Sequence, residues 1–447
     1  MLIFLFACDQ ECEGVGCETA YSAAQISVLY GEEREQTSET VEITQASFSL
    51  SGTAAERSNW SYTFLDEALV LGIPALGNIF RYSEQEDLRL SFDTPIISGT
   101  SETLFGASLA KTQGYLVIGA PRMSLSPLRQ HGALYIYSLS QTESPELIIH
   151  GIYNNEQLGE RLFSCADLDR DGFSDWIAGA SQSGGSQNDT TSPVLSGRIY
   201  IGLSSSWMGL SSPQNSSFMP YVNGLHTGAR FGYSVDCQSD ITGDIQADIV
   251  VGAPFADSEA FDASGAIYIL RSPTYSLEDS ISLYGVSQNA WLGWSVATGD
   301  IDGDKDIDII AGAPGFNNGE GAIFIWLGSE LESNNTQPTF SISGQSSTLG
   351  EAVDFADING DGLSDIVLGD PNHNPTGGLG SYNAGAVYIF MGRVDFSTHY
   401  TSSISVEEAD YKISSQTAYS RLGQQISHDD INRDGKMDLL FLLRNKN

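Results

Sequence analysis

Five times in this chain an acidic nine-residue loop runs directly into an apolar, β-branched stretch, as in DIDGDKDIDIIAGAP at 300–314. Side-chain oxygens recur at loop positions 1, 3, 5 and 9. They are Asp167, Asp169, Asp171 and Asp175; Asp240, Thr242, Asp244 and Asp248; Asp300, Asp302, Asp304 and Asp308; Asp357, Asn359, Asp361 and Asp365; and Asp430, Asn432, Asp434 and Asp438. Position 7 is Phe173, Gln246, Asp306, Leu363 or Lys436, and there the backbone carbonyl is the expected ligand. Ca²⁺ takes six to eight hard oxygens at roughly 2.3–2.6 Å, which a tight loop supplies when alternate residues converge. An EF-hand needs Glu at position 12 between helices. Here that position is Ala178, Val251, Ala311, Leu368 or Phe441, inside sequences such as VVGAP that read as strands, so both EF-hand and dockerin loops are excluded. The competing reading is that the acids only cap turns. Five coincident sets of close carboxylates would repel one another without a cation.

The loops belong to a larger repeat. A first strand opens on an aromatic residue or Leu followed by Gly (Phe231-Gly232, Leu292-Gly293), and the acidic loop follows. A second strand ends in Gly-Ala-Pro or a variant (Gly252-Ala253-Pro254, Gly369-Asp370-Pro371). After a variable loop comes a third strand, such as GAIYIL from Gly265 or GAVYIF from Gly385, and then a ragged fourth. Two further copies lack the acids, giving seven starts near residues 59, 105, 158, 231, 292, 349 and 422. Repeats of this size with four strands each predict an all-β chain, a seven-bladed β-propeller of antiparallel blades. The last copy stops after its second strand. Residues 24–31 and 47–52 match a third and a fourth strand, so 24–52 is expected to complete that last blade and remove its edge.

Residues 1–8, MLIFLFAC, read as the end of a lipoprotein signal with Cys8 as the acylated residue, although the run is short and no Lys or Arg precedes it. A start placed too late accounts for both departures. Residues 9–23 form an acidic leader in which Cys12 and Cys17 suit a small disulfide in an oxidising compartment. The propeller is expected over 24–447. Cys165 and Cys237 fall at offset places in successive repeats; side-chain alternation along a strand points them apart, so buried free thiols are expected. A formal charge of −37 argues against nucleic acid or an anionic membrane surface as partner. Eighteen of the acids lie in the five loops, where up to five Ca²⁺ would offset ten charges.

The aromatic-Gly pair, the DxDxDGxxD loop, the Gly-Ala-Pro turn and the GAxYIY strand, recurring in one order, resemble FG-GAP repeat proteins such as the β-propeller of integrin α subunits. The resemblance spans about 24–447. It implies Ca²⁺ in the loops, best kept from Asp167, Asp300 and Asp357, and a platform for extracellular ligands. Thr242 and the missing Gly after Asp244 imply weaker binding in the Asp240 loop. No HExxH, GxSxG, GxxxxGK[ST] or CxxC motif is present, and His226 and His428 read as isolated histidines. Trp294, Tyr268 and Tyr388 follow strand alternation and belong to packing.

The expected function is therefore an exported, calcium-stabilised binding or adhesion module for a protein or glycan, lipid-anchored at Cys8 or secreted. The alternatives are a polysaccharide lyase or hydrolase and a structural envelope protein. Hairpin geometry puts the variable segments 182–196, 255–264, 315–320 and 372–384 at the end opposite the acidic loops, where they read equally as a candidate binding face and as permissive insertions.

Overall fold

The computed structural model describes residues 2–9, 25–30, 39–43, 49–51, 61–65, 68–74, 76–83, 96–140, 143–184, 193–331, 336–344, 348–374, 382–415, 418–430 and 435–444. Of the sequence expectations, Cys12, Cys17, Asn59, Trp60, Asn432 and Asp434 lie outside these residues. The described chain is all β, apart from single helical turns such as Ser204–Trp207 and Phe396–His399. It forms two compact units, one of Met1–Arg57, Glu84–Ser91 and Trp294–Asn447, the other of Ser58–Ser83 and Phe92–Gly293.

Six of the seven expected repeats fold as four antiparallel strands hydrogen-bonded in chain order. In the second unit one such sheet is Ser234–Asp236, Ile249–Ala253, Ala266–Leu270 and Ile281–Tyr284. In the first unit another is Ala352–Ala356, Asp365–Asp370, Ala386–Phe390 and Tyr411–Ser415. The second and third strands are buried along their whole length, as their unbroken Val, Ile and Ala runs require. The first unit's core is built around Ile310, Ile325, Phe355, Leu368 and Phe390; the second unit's around Ile177, Tyr200, Phe231, Val251 and Tyr268.

The motif glycines lie at the seams between successive sheets. In the first unit the Gly350 amide donates to the Gly369 carbonyl of its own sheet at 3.1 Å, while the Gly350 carbonyl accepts the Ser295 hydroxyl of the preceding one at 2.9 Å. A Cβ on Gly312 would stand only 2.0 Å from that same carbonyl oxygen. The second unit repeats the arrangement with Ser108, Gly119 and Gly159. Five of the glycines that open a third strand pair with the aromatic or Leu of the next repeat, as in Gly132 with Leu158 and Gly321 with Leu349. The repeat signature is thus mainly an instruction for packing one sheet on the next.

Three outer edges carry a parallel fifth strand that the repeat pattern gave no reason to expect. Gln214–Asn215 lies beside Leu147–His150, Ser403–Ser405 beside Phe340–Ser343, and Glu39–Ile43 beside Tyr411–Ser415. Each covers amides and carbonyls that an edge strand would otherwise leave open.

The terminal sheet differs from expectation. N- and C-terminal strands do share it, in the order Gln25–Tyr30, Leu2–Asp9, Asp438–Arg444, Ile426–Asp429. The strand beside Asp438–Arg444 is Leu2–Asp9, running parallel to it, rather than 24–31. Gln25–Tyr30 sits one place further out, and Ser49–Ser51 pairs with the end of Leu2–Asp9 rather than standing fourth. An eight-residue apolar run has the composition of a buried strand as well as of a leader, and here it takes the edge that 24–31 was expected to cover.

The expectation of free thiols is overturned: Cys165 and Cys237 are disulfide-bonded, with Cα atoms 4.9 Å apart. Alternation does not apply because both cysteines lie just past the ends of their strands, Arg161–Ser164 and Ser234–Asp236, where the Ala166 amide donates to the Cys237 carbonyl at 3.1 Å. The bridge closes a separation of 72 residues. Replacing Cys165 with Ser is expected to cost about 2–4 kcal/mol, read as a lower denaturation midpoint under oxidising conditions and none of the usual drop on adding reductant.

Candidate metal-binding loops

Each acidic loop joins a first strand to a second, and its position-9 Asp begins or immediately precedes the buried second strand. All five of these aspartates, Asp175, Asp248, Asp308, Asp365 and Asp438, are buried. Expected as ligands, they also anchor the loop. One oxygen of Asp308 accepts the Ile301 amide and the other the Gly328 amide, both at 2.8 Å. Asp365 does the same with Ile358 and Gly392 at 2.9 and 2.8 Å, and Asp175 with Leu168 and Ser204, both at 2.7 Å. Asp248 takes Ile241, Thr242 and Ser272. The second amide in each case follows the third strand, so the carboxylate ties the loop to the neighbouring hairpin.

Position 1 organises the turn itself. Asp357 accepts the amides of Gly360, Asp361 and Gly362 at 2.7, 3.1 and 2.9 Å, and Asp300 those of Gly303 and Lys305 at 2.7 and 3.2 Å. Asp167 and Asp240 act in the same way, and Asp430 accepts Gly435. Position 5 accepts the position-7 amide at 2.9 Å in four loops, through Asp171, Asp244, Asp304 and Asp361. That fixes the backbone of Phe173, Gln246, Asp306 and Leu363.

Among the described residues two loops gather three carboxylates. Oxygens of Asp167, Asp169 and Asp175, and of Asp300, Asp302 and Asp304, lie within 4.8 Å of one another. In the Asp240 and Asp357 loops Thr242 and Asn359 replace the acid at position 3, and the Asn359 amide group donates to Asp361 at 2.8 Å. A carboxylate has about four lone-pair sites. The amide bonds above therefore leave capacity for a cation, and the donor set, all hard oxygen, fits Ca²⁺.

Burial away from water is the main cause of a raised pKa at these anchors. It lifts Asp308 to about 8, with Asp302 and Asp304 adding to the effect and the Ile301 and Gly328 amides opposing it. It lifts Asp365 to about 7 and Asp175 to about 6, and it raises Asp248. An unfolded Asp titrates near 3.9. Between the two values the metal-free folded state binds more protons than the unfolded state, so its stability falls as pH rises. The metal-free protein is expected to melt higher at about pH 5.5 than at about pH 8, and a cation that holds the carboxylates charged should abolish that slope. Thermal melts with and without chelator across this range provide the measurement.

The FG-GAP repeat pattern matches residues 292–326 and 349–390, the stretches that hold the Asp300 and Asp357 loops. The chain carries FG-GAP repeats. Its relatives are integrin α subunits and a phospholipase. It is 28% identical over 218 residues to integrin alpha-4 of Xenopus laevis, covering 47% of this chain and 19% of that one. It is 32% identical over 188 residues to integrin alpha-PS3 of Drosophila melanogaster, covering 40% and 16%. With phosphatidylinositol-glycan-specific phospholipase D of Bos taurus it shares 26% identity over 251 residues, 52% of this chain and 28% of the enzyme. The chain thus spans less than a third of the length of these relatives. The repeat signature was legible in the sequence, but Ser108 and Ser295, which hold the seam carbonyls, were not singled out by any sequence signal beyond their place after the Gly. Trp294, Tyr268 and Tyr388 lie in strands or beside them, with Tyr268 edge-on to Phe231 at 5.5 Å. His428 is paired with Asp354 at 2.9 Å.

Proposed function

We propose that this chain is a calcium-stabilised, seven-bladed β-propeller that is exported and presents a loop face to a protein or glycan at a cell surface. The repeated loop geometry carries this reading: the position-9 carboxylate is buried in all five loops, and in the Asp167 and Asp300 loops three carboxylates lie within 4.8 Å of one another, a repulsion that a divalent cation would relieve. Asp167, Asp169, Asp171 and Asp175, with the Phe173 carbonyl, would hold one ion, and the matching residues of the other loops the rest. Bound there, Ca²⁺ supplies charge neutralisation and a fixed loop conformation. The chain's own part is to pre-shape the turn through position 1 and to lock it to the next hairpin through position 9.

The opposite ends of the hairpins form the proposed binding face. The variable segments there are tied to the connections between repeats: Gly228 to the Val194 carbonyl at 2.8 Å, Asn289 to Asp262 at 3.0 Å, and Tyr419 to Tyr382 at 2.7 Å. They leave Leu125, Val194, Leu225 and Phe261 exposed in the second unit, and Tyr382 and Tyr419 in the first. Loops held by buried sheets are where binding residues concentrate, and these side chains are the ones such loops would present. A screen against surface glycans and envelope proteins tests this, with Leu225→Asp as the control; a ligand bound equally well by that variant and by one altered only in the acidic loops would move the face elsewhere.

Membrane attachment through Cys8 belongs to the same proposal. Among the described residues no helix is long and apolar enough to cross a membrane. Cleavage before Cys8 would remove most of Leu2–Asp9 and leave the edge of Asp438–Arg444 to Gln25–Tyr30, the pairing that the repeat pattern favours. The mass of the mature N-terminus distinguishes an acylated Cys8 from an intact strand. The phospholipase relatives are the ground for a second reading, an enzyme acting on a glycan-bearing phosphatidylinositol. Turnover of such a substrate that is lost with a loop-face substitution would establish it.

A further inference from the structure

The Asp167 and Asp240 loops are joined by side chains as well as by backbone. Arg170, at position 4 of the first, donates to the carbonyl of Asp244, at position 5 of the second, over 3.0 Å. In the other direction Gln246, at position 7 of the second loop, donates its side-chain amide to the Leu168 carbonyl, at position 2 of the first. The buried hydroxyl of Tyr275 lies 2.9 Å from the Leu168 carbonyl and 3.0 Å from that of Ala247, sharing its proton between the two loops, and 3.3 Å from the Gln246 amide nitrogen. Behind them the Cys165–Cys237 bridge links the strands two and three residues before the loops begin.

The Asp240 loop is also the one least equipped to order itself. It has Thr242 at position 3, and at position 6 the β-branched Ile245 holds φ +74° where Gly172, Gly362 and Gly435 stand in three of the other loops. A β-branched residue in that region is strained and needs its surroundings to keep it there. Asp240 of the same loop holds the Ile245 amide, and the contacts to the other loop hold its two neighbours, Asp244 through Arg170 and Gln246 through the Leu168 carbonyl.

We propose that these two loops take their cations as a coupled pair, with Arg170, Gln246 and Tyr275 as the positioning residues that make filling one loop favour filling the other. The inference rests on the reading of the loops as Ca²⁺ sites. Fixing the Asp167 loop fixes the Leu168 carbonyl and with it Gln246 and Tyr275, so the ordering cost of the second loop is already met when its ion arrives. By linkage the benefit runs equally in both directions.

The test titrates the full chain with calcium chloride and follows hydrogen exchange of amides within 167–175 and, as an internal reference, within 300–308. Asp244→Ala removes an exposed carboxylate from the Asp240 loop alone. It is expected to raise the calcium midpoint for protection of 167–175 by about 5-fold or more, at the lower end of ordinary coupling, and to leave that of 300–308 unchanged. In a Gln246→Ala, Tyr275→Phe background the midpoint for 167–175 should already be raised, and adding Asp244→Ala should move it no further. The proposal is overturned if Asp244→Ala abolishes protection of 240–248 yet leaves 167–175 at its wild-type midpoint, or if the same shift persists in that background. Absence of calcium-dependent protection at every loop of the wild type would instead remove the calcium reading itself, and the coupling with it.

Discussion

Removing divalent cations with a chelator is expected to lower the melting temperature of this protein by roughly 10 °C or more. A ligand present at a hundredfold excess over its Kd stabilises the state that binds it by about 2.7 kcal/mol per site. For units of about 150–250 residues each kcal/mol moves the midpoint by roughly 2–4 °C. Two or more loops fall within each unit, so the shifts accumulate. Calcium should restore the lost stability and magnesium should do so poorly, because Mg²⁺ demands near-octahedral geometry at about 2.0–2.1 Å and gives up its waters reluctantly, whereas Ca²⁺ accepts flexible coordination. Calorimetry on chelated, calcium-loaded and magnesium-loaded protein reads this out. An unchanged midpoint after chelation would leave the aspartates as turn formers only.

Gly312→Ala is expected to be among the most damaging single substitutions in the chain, costing above about 3 kcal/mol. Its added Cβ would lie 2.0 Å from the Gly350 carbonyl oxygen, which is itself held by the Ser295 hydroxyl and belongs to a backbone fixed on both sides by sheet bonds. Neither the sheet carrying Gly312 nor the one carrying Gly350 can yield without opening the seam. Gly312 has no positive φ, so the cost is steric rather than conformational. A denaturation midpoint close to wild type for this variant would show that the sheets are not packed through their motif glycines.

Much of the fold was legible because its information is local and repeated. The acidic spacing, the Gly-Ala-Pro stop and the alternation of Val, Ile and Ala name strands in order, and the described sheets follow that order. The candidate ligands were legible for the same reason, since alternate residues in one tight loop must converge. The position-9 aspartates show the limit of that reasoning. Spacing marks them as ligands, but only the packed structure places Ser204, Ser272, Gly328 and Gly392 against them as amide donors.

By itself the sequence determined the repeat, the class of strand that each segment forms, and the loops whose oxygens suit a hard cation. Each is set by period and residue type within a few positions. Tertiary structure alone decided the Cys165–Cys237 bridge, the parallel strands on three outer edges, the strand that completes the terminal sheet, and the bonds that join the Asp167 loop to the Asp240 loop. Those depend on which groups come within a few ångströms across dozens of residues of chain, and no local pattern encodes such a distance.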